Sequence, residues 1–221
     1  GLTLHNILTG DTDLFIHDFH YDVFGLQVLA HEVGHAYDDY LFSKDAGKFN
    51  DYLYLSHYTE AMSFLFERLL IHFLANNHIH EEELKKEMVQ FKNISYDTLG
   101  GAYVWSLVDN FYLDPRNEIE LSEIILKAEA KRNSEDFKDL DIIVRNMTKM
   151  DLPLTYSYAY GEILSMFLCE EVEKNGLSND LVNSFLQERY YIFSEKFIQE
   201  KNFSADRYAK LYQKELQLIK K

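Results

Sequence analysis

The sequence predicts a mainly α-helical, single-domain fold with a small β-hairpin near the N-terminus. Three observations carry that expectation. Only 2 prolines and 9 glycines occur in 221 residues, so helix breakers are scarce. From about Asp22 onward, apolar residues recur at helical spacings of three and four. Residues 1–20 differ, because two short apolar runs flank a Gly-Asp turn. With 47% hydrophobic residues, the chain read as one domain over 1–221 is long enough to bury a proper core.

The elements follow in order. Leu2-Thr3-Leu4-His5-Asn6-Ile7-Leu8 and Asp13-Leu14-Phe15-Ile16-His17-Asp18-Phe19 are the hairpin arms around Thr9-Gly10-Asp11. A helix over 22–41 follows from Val23, Leu26, Ala30, Val33 and Tyr37. Lys44-Asp45-Ala46-Gly47-Lys48 is a loop, and a second helix over 52–75 places Leu55, Met62, Leu65, Leu69 and Phe73 on its apolar side. Glu81 to Phe91 is a short charged helix. Leu99-Gly100-Gly101 breaks the chain before a helix with Trp105, Leu107 and Val108. Asp114-Pro115-Arg116-Asn117 is a turn, Glu118 to Arg132 is amphipathic, and Asp151-Leu152-Pro153 stops any helix in the polar stretch 133–155. Tyr156 to Lys174 is helical with Asn175-Gly176 as its C-cap, and 178–221 holds two helices separated near Lys201-Asn202-Phe203. The 16 Tyr and 16 Phe are expected mostly to fill gaps between helices.

Charge narrows the function. A net charge of −15 repels phosphates, which argues against nucleic acid and anionic membranes as partners. Charges interrupt every apolar run before transmembrane length. The chain as given shows no basic, then apolar, leader. The single cysteine, Cys169, permits no intramolecular disulfide, which fits a cytoplasmic protein. Its place on an apolar helix, with no base visible beside it, reads as buried packing.

The chemistry concentrates at His31-Glu32-Val33-Gly34-His35. Two histidines four apart on a helix share one face, so both imidazoles can reach one ion about 2 Å from each. Glu32 lies beside them, placed to take a proton from water acidified by the metal. Two surface histidines would be the bland alternative, but Val28, Leu29, Val33 and Ala36 point to a buried helix. A catalytic zinc needs a third protein ligand and an open position. Glu60, 25 residues after His35 and among apolar and aromatic neighbours, is the candidate. Ser63 and Glu67 share its helix face. Glu67 is either the acceptor for a ligand histidine N–H or an ordinary ion-pair partner. His72, His78 and His80 read mainly as a solvated helix start, and His17 and His20 as surface.

Leu29-Ala30-His31-Glu32-Val33-Gly34-His35-Ala36 resembles the HExGHA stretch of the thimet oligopeptidase / oligopeptidase F family of zinc metallopeptidases. Glu60-Ala61-Met62-Ser63 with Glu67 is similar to that family's E-x-x-S-x-x-x-E, and Tyr156-Ser157-Tyr158-Ala159-Tyr160-Gly161 to its tyrosine-rich patch. The resemblance implies a multi-helix zincin-type catalytic domain with the β element beside the active-site cleft. It implies hydrolysis of short peptides, with His31, His35 and Glu60 as zinc ligands and Glu32 as the base. Tyr156 and Tyr158 would polarise the scissile carbonyl or bind the substrate backbone. Gly34 would let a neighbouring helix approach closely. The family carries a histidine shortly before the tyrosine pair; Met147-Thr148-Lys149-Met150-Asp151-Leu152 holds none. The family is also longer, and an N-terminal domain that walls the cleft is an expected partner. Two other readings stand beside an endopeptidase: a related metallocarboxypeptidase, and a peptide-binding module that keeps the metal without cutting.

Overall fold

The computed structural model describes residues 2–5, 12–44, 60–90, 154–186 and 199–220. Strands β1 (Leu2–His5) and β2 (Thr12–Phe15) pair antiparallel, from Leu2 opposite Phe15 to His5 opposite Thr12. The turn expected at Gly10 lies outside the described residues. The second arm is shorter than its apolar run suggests. It ends at Phe15, and Asp18 adopts φ 51°, a left-handed conformation that Asp tolerates and a strand does not.

Helix α1 (Val23–Lys44) starts at Asp22, whose Oδ1 accepts the Gly25 N–H at 2.7 Å. Gly25 is required there, because a Cβ would lie 1.8 Å from the His20 carbonyl oxygen. Helix α2 (Glu60–Asn76) overlaps the expected 52–75 span and runs one residue past it; the first residues of that span are outside the described set. Residues 81–90 form α3, and Glu83 Oε1 accepts the Val23 N–H at 2.9 Å, tying α3 to the start of α1. Helix α4 (Leu154–Asn175) ends at Gly176, whose φ of 80° and N–H to the Val172 carbonyl make a C-cap. Helices α5 (Asn179–Leu186) and α6 (Ala205–Lys220) are capped by Ser178 and Ser204. The expected break between the last helices coincides with Asn202 at φ 52°. The segments around Trp105 and 118–132 lie outside the described residues.

Helix α4 is central. Every residue from Ala159 to Cys169 is buried, so this stretch has no solvent face. Met62, Leu65, Tyr160, Ile163, Leu164, Phe167 and Tyr208 form the main core between α2, α4 and α6. Arg68, fully buried, binds that core together. Its Nη1 donates to both oxygens of Glu215, its Nε to Ser165 Oγ, and its Nη2 pairs with Glu162, which also accepts from Tyr208. Two sequence expectations are corrected. Val33 is 37% exposed and Phe73 57%, so neither faces the core. Helical spacing says which residues share a side, but not where the neighbouring helices stop covering it. Among the described residues no helix is long and apolar enough to cross a membrane.

Candidate metal centre

Successive turns of α1 align Gln27, His31 and His35 on one face. Helix α2 runs antiparallel to α1, since Gln27 meets Glu67, His31 lies between Glu67 and Glu60, and His35 meets Glu60. The helices cross where they are thinnest. A Cβ on Gly34 would stand 2.5 Å from Ser63 Cα and 2.6 Å from the Met62 carbonyl oxygen. Gly34 therefore sets how deeply α1 sinks against α2, which brings the two histidines to Glu60.

The three candidate ligand groups offer atoms within 4.8 Å of one another. Glu60 Oε2 stands 3.5 Å from His31 Nε2 and 3.8 Å from His35 Nε2. Donors arranged tetrahedrally about one ion, each about 2 Å from it, lie about 3.3 Å apart. The spacing is thus close to that of ligands sharing an ion and longer than a good hydrogen bond. Consistently, Glu60 Oε2 is buried and has no hydrogen-bond partner among the described residues. Helix α4 pins this carboxylate from behind, because Gly161 is so close that a Cβ there would meet Glu60 Cβ at 2.6 Å.

Glu67 completes the arrangement. Its Oε1 is 2.5 Å from His31 Nδ1, and its Oε2 accepts from Gln27 Nε2 at 2.6 Å. A carboxylate only accepts, so Nδ1 carries the hydrogen and the Nε2 lone pair of a neutral His31 faces Glu60. This contact is the one both sequence readings of Glu67 require, as acceptor for the histidine N–H or as its ion-pair partner. Burial would lower the His31 pKa, but the bond and charge of Glu67, with Glu60 and Glu32 adding, hold it above the ordinary value. Burial also raises Glu60, which His31 opposes and Glu67 and Glu32 reinforce. Both groups are driven towards binding a proton or another cation. An N,N,O donor set with an orphaned carboxylate oxygen and excess negative charge fits a zinc-like cation.

The remaining candidates divide. Glu32 is 5% exposed and near enough for its charge to act on His31 and Glu60. Tyr158 is 43% exposed, its ring centroid 6.3 Å from that of Phe64, which itself stacks edge-on against His31. The charge of Glu60, then burial, raises the Tyr158 pKa, so its phenol keeps its proton. Tyr156 belongs to α4, but its side chain is outside the described set. Ser63 Oγ is buried without a hydrogen-bond partner among the described residues, and the residue serves the crossing through its small size. Gln27 was not singled out in the sequence. Its spacing of four before His31 was the available signal.

A second group, His72, Cys169 and Glu173, also brings three donors within 4.8 Å. Cys169 is buried, as expected, but His72 Nδ1 lies 4.0 Å from its sulfur, so an imidazole does stand beside it. Here the donors have closed on a proton, with His72 Nδ1 2.6 Å from Glu173 Oε1. Lys214 Nζ takes the other carboxylate oxygen at 2.5 Å. His78 and His80 are exposed beside Glu81 and Glu83 at the start of α3, and His17 and His20 are exposed too.

No family model, curated protein or solved structure matches this chain.

Proposed function

We propose that the chain is a zinc metallopeptidase of the zincin type that hydrolyses short peptides. The observation that carries the reading is Glu60 Oε2, buried without a hydrogen-bond donor among the described residues and 3.5 and 3.8 Å from two imidazole nitrogens. His31, His35 and Glu60 would hold the ion, which when bound would supply Lewis acidity to water and to the scissile carbonyl. His31 and His35 are both partly exposed, leaving a side open to substrate. Glu32 takes the proton of the attacking water and returns it to the leaving amine. Tyr158, half exposed and held protonated, donates to the developing oxyanion. The resemblance to the thimet oligopeptidase / oligopeptidase F family supports the same reading: its three sequence patches supply Gly34, Glu60, Glu67, Tyr158 and Gly161, residues that meet at this centre. A single, buried cysteine suits work in the cytoplasm.

The test is Glu32→Gln. It keeps the bound zinc and lowers cleavage of a mixed short-peptide library by about 10²–10⁴-fold. Unchanged turnover would refute the assigned mechanism. Peptides blocked at both ends are still cut by an endopeptidase and are spared by a carboxypeptidase.

A further inference from the structure

We infer that Gln27 is a positioning residue for this centre: its amide fixes the plane of the Glu67 carboxylate and, through it, the ring of His31. The identity of the bound ion rests on the metallopeptidase reading, whereas the chain of contacts does not. The two oxygens of Glu67 are divided between two donors. His31 Nδ1 is 2.5 Å from Oε1, and Gln27 Nε2 donates to Oε2 at 2.6 Å. A carboxylate held at one oxygen still turns about its terminal bond, whereas one held at both has a single plane. The Glu67 side chain is only 7% exposed, which leaves water little access to replace a lost donor.

The choice of donor matters as much as its position. A lysine or arginine at residue 27 would neutralise Glu67 and compete with His31 for its charge. An amide donates without charge and does not titrate, so Glu67 stays fully available to His31. The imidazole then keeps its hydrogen on Nδ1 and presents Nε2 to Glu60 Oε2, 3.5 Å away. Gln27, His31 and His35 recur every four residues, so one helix face carries both the ligands and the group that aligns them.

Two variants test this. Gln27→Leu removes the donor, and Gln27→Glu keeps the size but replaces a donor with an acceptor. The expected result for both is zinc affinity lower by about tenfold, the lower end for groups behind a metal ligand. The cobalt(II) absorption spectrum should shift, while the melting temperature of the metal-free chain stays near the wild-type value. In the metal-free chain, at a pH where His31 is neutral, nitrogen-15 NMR should show His31 leaving the pure Nδ1–H tautomer. Should Gln27→Leu fail to fold, Gln27→Glu carries the test. Wild-type affinity, spectrum and tautomer in the folded variants would overturn the role of Gln27. If the wild-type chain bound no zinc, the metallopeptidase reading would fail, yet the tautomer measurement would still decide the role of Gln27.

Discussion

A buried carboxylate oxygen without a donor costs about 1–3 kcal/mol or more unless another positive group neutralises it. Among the described residues, two carboxylate–histidine groups meet this requirement differently. At Glu60 both imidazoles stand off at 3.5 and 3.8 Å, leaving a gap of ion size. At His72 the gap has closed to 2.6 Å and a proton fills it. Burial opposes charge on His72, but Cys169 and then Glu215 hold its pKa up at about 10, and Glu173 adds a direct hydrogen bond. The sign of the pH dependence follows. The folded pKa lies above the unfolded value of about 6.5, so the stabilisation is complete below that pH and lost as pH rises towards 10. Urea unfolding of the metal-free chain should show His72→Gln well below wild type at pH 6, with the difference shrinking by pH 10. A difference independent of pH would show that His72 carries no folded-state proton.

At the scale of elements, the crossing of α1 and α2 sets the geometry of the centre. Gly34→Ala sets two effects against each other. Alanine favours an isolated helix over glycine by about 1 kcal/mol. The new Cβ, however, meets Ser63 Cα and the Met62 carbonyl at 2.5 and 2.6 Å, and backbone atoms cannot swing aside. Overpacking of this kind typically costs about 1–3 kcal/mol, so the variant should be destabilised in urea and bind zinc more weakly. A more stable variant would show that the helices are not in such close contact. Much of this element structure was legible in the sequence. The C-cap at Gly176 and the break at Asn202, both at positive φ, are local features, written in neighbouring residues. What periodicity did not reveal was covering by distant elements. Val33 lies open although its neighbours are apolar, while Ala159–Cys169 is enclosed on every side.

At the scale of the molecule, the centre depends on three helices that are distant in sequence. α1 carries the histidines, α2 carries Glu60 and Glu67, and α4 presses Gly161 against Glu60. The Arg68 network then holds α2, α4 and α6 in one arrangement. Sequence spacing suggested that His31, His35 and Glu60 belong together, because metal chemistry restricts which residues can share an ion. It was silent on Arg68 and Gln27, whose partners lie up to 147 residues away and follow no motif. The same dependence makes zinc binding a direct measure of the assembled centre. Native mass spectrometry of the wild-type chain and of His35→Ala and Glu60→Gln, each dialysed against zinc and desalted, tests it most directly. The account predicts one zinc ion on the wild-type chain and its loss from both variants; a wild-type chain without zinc, or variants that keep it, would contradict the account.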